Sequence, residues 1–215
     1  MEVNVSVLMA VFNTEFSLVK RAIDSVLSQG YQHFELIIID DGSTDDFQKN
    51  LLSYVSQNEG KITYIRHKNR GQSESINRGI LISSGDYITI IDADDEYKPN
   101  HLETCLHEMS HNDLIASVTE TIVNHDGDFY VPDRFNQSKL IHVDKCILFA
   151  TLFGKKEVFT SISFEQQYAA DAHFYEMASL KYRVNKVNSK TYIYYRNSPD
   201  SICSKLKKRN YFNAN

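Results

Sequence analysis

The chain has 215 residues, of which 42% are hydrophobic and 24% charged, and this usage is typical of one globular domain or of one with two lobes. A net charge of −5 gives no general attraction to nucleic acid, and no apolar run approaches the ~18 residues of a membrane span. Cys105, Cys146 and Cys203 are odd in number and far apart, which favours reduced thiols in a cytoplasm. A strand pattern that begins at once after Met1 indicates that no signal peptide is present.

The first hundred residues alternate apolar runs of strand length with segments whose apolar residues recur at helical spacing. Strands are predicted at 5–12, 34–39, 62–65 and 88–91, and the helices between them end near residues 30, 56 and 83. The isoleucine-rich runs predict strands that are buried on both faces. Right-handed crossovers then give a parallel sheet that is covered by helices.

Two of these strands run directly into acidic residues. Asp40-Asp41-Gly42 follows the second strand, and Asp92-Ala93-Asp94-Asp95 follows the fourth. If the chain stays extended, Asp92 and Asp94 share a side and Asp95 faces away. Paired carboxylates at a strand end suit Mg²⁺ or Mn²⁺, whose other ligands would come from water and a substrate diphosphate. The sequence contains neither of the usual glycine-rich phosphate motifs, so a nucleotide here would depend on carboxylates and a metal.

The second half is less regular. A helix is predicted from Pro99 to about His111, and a strand from Ile115 to Val123. A return strand is predicted near 129–131, a loop at 135–143, a helix from 165 to 180, and closing strands at 184–187 and 192–195. The tail is basic, with Lys205, Lys207, Lys208 and Arg209.

The order of these motifs resembles the family 2 glycosyltransferases, over about residues 3 to 203. The matching segments are Val5–Asn13, Ala22–Gln29, Phe34–Asp45, Asn77–Ile80, Gly85–Asp95, Ala170–Asp171 and Tyr194–Ile202. The resemblance implies an α/β protein with the GT-A fold, a Rossmann-like three-layer α/β/α arrangement around a mostly parallel central sheet. Residues 1–215 would form one domain, in which 1–97 bind the nucleotide sugar and 98–215 form the acceptor side.

The resemblance also implies an inverting transferase that moves a sugar from a nucleoside diphosphate, most often UDP, to a hydroxyl in polysaccharide or glycoconjugate synthesis, with Mn²⁺ or Mg²⁺ as cofactor. Its partners would be a nucleotide-sugar donor and a glycan or lipid-linked acceptor, without nucleic acid. Contact with the membrane would be at most peripheral, at the inner face. Carried over by position, the site residues are Ala10, Phe12 and Asp41 around the base, Asp92 at the ribose, Asp94 at the metal, Asp171 as catalytic base, and Arg196 with Ser201 at the diphosphate.

Two departures from the family pattern bear on these assignments. Ala170 stands where the family often has an acid before the base, so Glu165 and Glu176 are alternative bases. Ile76 stands where many members have an arginine, which removes one possible donor contact. A module that binds a sugar nucleotide without turnover is therefore a second interpretation. It predicts that nucleotide binding occurs without product formation and that Asp171→Asn has no effect.

A third interpretation comes from His107-Glu108-Met109-Ser110-His111, which matches the zinc hydrolase pattern His-Glu-x-x-His. On a helix, both histidines would share a face, as zinc ligation needs. However, Leu102 lies on the apolar stripe of the same predicted helix, roughly 140–180° away from the two histidines. This places them on the face away from the core and argues against a buried zinc site.

Overall fold

The computed structural model describes residues 4–58, 60–165 and 168–196. Its first half alternates strands and helices as predicted, and the observed bounds lie within a few residues of the predicted ones. These elements are β1 (Val5–Val11), α1 (Phe16–Leu27), β2 (Phe34–Asp40), α2 (Asp45–Ser56), β3 (Ile62–Arg66), α3 (Gln72–Ile82) and β4 (Tyr87–Ile90).

The second half contains shorter elements. They are β5 (Glu96–Tyr97), α4 (His101–Glu108), β6 (Leu114–Ser117), β7 (Glu120–Ile122), β8 (Tyr130–Pro132), β9 (Leu140–His142), β10 (Leu152–Lys155), α5 (Lys156–Ser161), α6 (Ala170–Ser179), β11 (Val184–Val187) and β12 (Tyr192–Tyr195). The strand predicted at 115–123 is divided into β6 and β7, which belong to different sheets. The helix predicted from residue 165 begins at Ala170, after Ala169 adopts a left-handed φ of 57°.

The large sheet has seven strands in the order β11-β6-β10-β4-β1-β2-β3. Strands β4, β1, β2 and β3 run parallel, and β10 is antiparallel to both of its neighbours. The prediction of a mostly parallel central sheet is therefore confirmed. A smaller sheet, in the order β5-β12-β7, lies beside the carboxyl end of β4, and β8 pairs with β9.

Helices cover both faces of the large sheet. Alternate residues of the central strands enter different cores: Val7 packs with residues of α1, α2 and α4, whereas Leu8 packs with residues of α3, α5 and α6. Ile38 and Ile39 of β2 divide in the same way, and all four side chains are at most 1% exposed. The isoleucine-rich strands are thus buried on both faces, and the polar residues that follow them are held at one rigid edge.

The zinc-site interpretation is wrong. Helix α4 ends at Glu108, so His111 lies beyond the helix and does not share a helical face with His107. Both histidines are exposed. Over residues 4–58, 60–165 and 168–196, no three or more His, Cys, Asp and Glu side chains come together as a group that could hold a metal ion.

Cys105 and Cys146 are free thiols, and Cys203 lies outside the described residues. None of the helices in the described part of the chain combines the length and the apolar character needed to cross a bilayer. The basic tail also lies outside the described residues, and the cytoplasmic location stays a prediction.

Candidate active site

The carboxyl ends of three adjacent parallel strands, β2, β1 and β4, meet at one edge of the large sheet. Just beyond the strand pairings, the Asp41 N–H donates to the Val11 carbonyl at 2.8 Å, and the Ile91 N–H donates to the Leu8 carbonyl at 2.9 Å. The two acidic segments that follow β2 and β4 therefore lie at the same edge of the sheet. Ligands bind at such edges in open α/β sheets.

Asp41 is only 4% exposed and organises the loop before α3. Its Oδ1 accepts the Arg70 N–H at 2.7 Å, and its Oδ2 accepts the Gly71 N–H at 2.8 Å. His67 Nδ1 lies 3.5 Å from the same Oδ1. Both carboxylate oxygens thus hold main-chain groups, and the predicted contact of Asp41 with a nucleotide base stays a prediction.

Asp40, which the sequence analysis did not select, fixes the turn that follows β2. Its carboxylate accepts the Ser43 N–H at 2.7 Å and the Tyr64 hydroxyl at 2.6 Å, and it is fully buried. Gly42 lies within this turn with a φ of 83°, and a Cβ there would lie 2.8 Å from the Asn69 nitrogen. The turn therefore requires glycine at this position.

Ala10 and Phe12 lie at the end of β1, where the sequence analysis placed a nucleotide base. Ala10 is partly buried within the strand, and the Phe12 ring is 50% exposed. The next residue, Asn13, has a φ of 49°, and its Oδ1 accepts the Thr44 N–H at 2.8 Å. This bond joins the loops after β1 and β2 and leaves an exposed aromatic ring beside them.

Residues Asp92 to Asp95, here named the acid turn, do not continue β4. The strand ends at Ile90, and the Asp95 N–H donates to the Asp92 carbonyl at 3.2 Å, which closes a turn. The assumption of an extended chain is therefore wrong, because alternation of side chains ends with the strand. Asp95 is 1% exposed, and it accepts the Tyr192 hydroxyl at 2.5 Å and the Tyr195 N–H at 2.8 Å. It thus anchors β12 to the acid turn.

The acid turn carries unfavourable negative charge. Burial, followed by the charges of Asp94 and Asp171, raises the pKa of Asp92 to about 7, while a 2.8 Å hydrogen bond from Gln72 Nε2 opposes the shift. Burial also raises the pKa of Asp94, and the charge of Arg21 opposes that shift. Sequence reasoning missed Gln72 and Arg21, because their roles depend on neighbours that are distant along the chain.

Asp171 lies in the first turn of α6. Its Oδ2 accepts the Phe149 N–H at 3.1 Å, and its Oδ1 accepts the Ala172 N–H at 2.8 Å. Burial raises the pKa of Asp171 to about 6, against the opposing effect of these hydrogen bonds and of Arg134. The charge of Asp171 is among the causes that raise the pKa of Asp92, so the two carboxylates are close enough to interact, and the role of Asp171 as base stays a prediction.

The two alternative bases are in more exposed settings. The Glu176 side chain is 55% exposed and forms an ion pair with Arg134. The Glu165 side chain is 63% exposed, with a carboxylate oxygen 3.8 Å from His173 Nε2. Neither has the burial that raises the pKa of Asp171.

Arg196 follows β12 and is 5% exposed. Its Nε donates to the Asp128 carbonyl at 2.8 Å, and its Nη1 donates to the Tyr194 hydroxyl at 3.3 Å. These contacts direct the guanidinium toward protein atoms, and its predicted role at a diphosphate stays a prediction. Ser201 lies outside the described residues.

The acid turn fits a divalent cation chemically. Asp92 and Asp94 supply oxygen donors, which Mg²⁺ and Mn²⁺ prefer. Burial is the main cause of the raised pKa of both carboxyls, and the charges of Asp94 and Asp171 add to it at Asp92, so a bound cation would favour their ionised forms. With few protein ligands, such an ion would take its remaining ligands from water and from a phosphorylated substrate.

A mostly parallel sheet that is covered by helices, with acidic residues at the ends of β2 and β4, is the arrangement of a GT-A glycosyltransferase. The family model of glycosyl transferase family 2 matches residues 6–168, and the chain belongs to that family.

Two curated relatives illustrate the match. The chain is 26% identical over 216 residues to the glycosyltransferase GlyG of Streptococcus pneumoniae serotype 4, covering 90% of this chain and 71% of GlyG. It is 42% identical over 104 residues to the putative colanic acid biosynthesis glycosyl transferase WcaA of Escherichia coli K12, covering 47% of this chain and 36% of WcaA.

Two solved structures share the fold. S. aureus TarS in complex with UDP-GlcNAc has a TM-score of 0.69 at 18% identity, covering 94% of this chain and 60% of the TarS chain. The mannosyltransferase PcManGT from Pyrobaculum calidifontis, in complex with GDP-Man and Mn²⁺, has a TM-score of 0.70 at 16% identity. The match covers 88% of this chain and 56% of the PcManGT chain. The chain thus spans a little over half the length of these two solved chains.

Proposed function

We propose that this chain transfers a sugar from a nucleoside diphosphate sugar to a hydroxyl group, with inversion at the anomeric carbon. The observation that carries the proposal is the relationship between Asp171 and the acid turn. Asp171 belongs to a different element and has a pKa raised to about 6, yet its charge acts on Asp92. A carboxylate base close to an acidic donor site, but on a separate element, is the arrangement that a single displacement requires.

In this mechanism, Asp171 accepts the proton of the acceptor hydroxyl as the oxygen attacks the anomeric carbon. The bond from that carbon to the diphosphate breaks, and its electron pair leaves with the nucleotide. The Phe149 N–H orients one oxygen of Asp171, and Ala172 orients the other. Because the pKa is near 6, the carboxylate is ionised and basic at neutral pH.

Asp94, with Asp92 beside it, would hold the divalent ion. When bound, this ion stabilises the charge that develops on the departing diphosphate. Asp92, oriented by Gln72, would contact the ribose. The exposed Phe12 ring and Ala10, two residues earlier, would receive the base beside the loop that Asp41 organises.

We propose UDP as the nucleotide and a polysaccharide or related glycan as the product. TarS has been solved with UDP-GlcNAc, PcManGT with GDP-Man and Mn²⁺, and the name of WcaA refers to colanic acid biosynthesis. These names support a nucleotide-sugar donor, and the donor base and acceptor of this chain are to be found by screening.

The test compares Asp171→Asn with Glu176→Gln, since both change one carboxylate on α6 to an amide. With a screened donor and acceptor, Asp171→Asn should lower kcat at least ~10²-fold and leave the donor Kd within about twofold, because an amide cannot accept the proton. Glu176→Gln should keep turnover. Nuclear magnetic resonance of the product should show the opposite anomeric configuration to the donor.

Full turnover in Asp171→Asn would overturn the base assignment. Retention of configuration would overturn the single displacement. Donor binding with no transfer to any acceptor in the wild-type chain would favour the non-catalytic binding module, for which Ala170 is the motivating departure.

A further inference from the structure

Arg21, on α1, lies behind the acid turn and contacts three separate elements. Its Nη2 donates to the main-chain carbonyl of Asp94. Its Nε lies 3.0 Å from Glu96 Oε1 on β5, and its guanidinium carbon lies 4.0 Å from the ring centroid of Tyr195 on β12. One planar cation therefore joins a helix, the acid turn and the small sheet.

The partners of Arg21 also bind one another. The Tyr195 hydroxyl donates a hydrogen bond to Glu96 Oε1 at 2.8 Å. The same carboxylate oxygen therefore contacts both Arg21 and Tyr195. The Tyr195 N–H donates to Asp95 Oδ1 at 2.8 Å. Arg21 and β12 thus both contact the acid turn, and they also contact each other.

This arrangement directs the hydrogen bond of Arg21 to the main chain of Asp94 and leaves the Asp94 carboxylate for other ligands. Lysine could not replace these contacts, because a single ammonium lacks the planar group that donates to the Asp94 carbonyl while it stacks on the Tyr195 ring.

We propose that Arg21 is a positioning residue for the acid turn, which holds the Asp94 main chain so that its carboxylate is presented to the divalent ion of the bound donor. The inference rests on the proposed function. It assigns Arg21 no contact with substrate. Outer residues that orient a metal-binding carboxylate typically contribute 10–100-fold to metal affinity.

The experiment measures the Kd of UDP by calorimetry, with Mn²⁺ and with chelator, for wild type, Arg21→Met, Arg21→Lys and Lys20→Met. Lys20 is the matched control, since it precedes Arg21 on α1 and interacts with Asp24 and Tyr54 instead of the acid turn. Arg21→Met should weaken binding with Mn²⁺ by ~10–100-fold and leave the Kd in chelator unchanged. Arg21→Lys should also lose most of the Mn²⁺-dependent gain, and Lys20→Met should lose none.

If Arg21→Met lost the same UDP affinity with and without Mn²⁺, Arg21 would have a merely structural role and the inference would be overturned. UDP binding that is unchanged in Arg21→Met would also overturn it. If Arg21→Met fails to fold, Arg21→Lys is measured in its place. If Mn²⁺ raises the UDP affinity of Arg21→Lys as much as that of wild type, the proposal is contradicted. A wild-type chain that binds no nucleotide with Mn²⁺ would instead refute the proposed function. The two failures are therefore distinguishable.

Discussion

The Tyr192 hydroxyl donates a 2.5 Å hydrogen bond to the carboxylate of Asp95, and this bond joins residues that are 97 positions apart. The same hydroxyl accepts the Asp92 N–H at 3.3 Å. Tyr192 is fully buried and belongs to the small sheet, whereas both aspartates belong to the acid turn. The Tyr192 phenol group therefore joins the acid turn to a strand from the other end of the chain.

Tyr192→Phe should reduce the free energy of unfolding by about 1–3 kcal/mol, because a buried carboxylate loses a donor and no solvent replaces it. Urea denaturation provides the measurement. Tyr130→Phe is the control, since Tyr130 is 43% exposed, and it should change stability by less than about 0.5 kcal/mol. Equal stability of wild type and Tyr192→Phe would show that the bond does not hold the acid turn.

Transfer should depend on pH through Asp171. Burial raises the pKa of Asp171 to about 6, so the base is ionised above that pH and protonated below it. At saturating donor and metal, kcat should therefore be level above neutrality and fall tenfold per pH unit well below 6. Glu176→Gln should keep the same midpoint. A kcat that stays constant down to pH 4.5 would exclude Asp171 as the base.

Much of the first half of the fold could be predicted from the sequence. The isoleucine-rich runs after Gly30 and Gly85 indicate strands buried on both faces, and the structure places alternate residues in two cores. The acidic residues after β2 and β4 follow from the ends of these runs. Asp171 was identified only through the family resemblance, because nothing local distinguishes it from other helical acids.

Features set by distant contacts could not be predicted. Strand β10 lies antiparallel between β4 and β6, and Gly154 permits this pairing, because a Cβ there would lie 2.8 Å from the Asp113 carbonyl oxygen. The apolar residues of β10 alone do not indicate which strands it pairs with or whether it runs parallel to them. Arg21 and Gln72 resemble ordinary polar helix residues until the fold places them against the acid turn.

Asp113 should stabilise the fold in a pH-dependent manner. Arg183 first, then Lys155, hold the pKa of this carboxyl well below its usual range, and the Arg183 N–H adds a hydrogen bond at 2.9 Å. A lowered pKa in the folded state gives stability that is present above about pH 4 and is lost as pH falls through the folded pKa.

Asp113→Asn should therefore reduce the free energy of unfolding by about 2 kcal/mol at pH 7, and by progressively less below pH 4. Chemical denaturation at several pH values checks this expectation. Asp126→Asn, which changes an exposed aspartate, should have little effect at any pH. A difference between Asp113→Asn and wild type that stays constant with pH would contradict the charge-based explanation.

The most direct test of the central claim is thermal unfolding of wild type and Asp94→Asn with UDP or GDP, each with Mn²⁺ or with chelator. Because burial raises the pKa of Asp94, the variant should be at least as stable as wild type without ligand, so a lost shift would not reflect a lost fold. We expect UDP with Mn²⁺ to stabilise wild type by roughly 2.7 kcal/mol at ~100 times its Kd, and chelator or Asp94→Asn to abolish this gain. Stabilisation by GDP instead of UDP would mean that the donor carries guanine, and it would leave the proposed metal-dependent site unchanged. Stabilisation that persists in chelator, or that is equal in Asp94→Asn, would contradict a metal-dependent donor site at the acid turn.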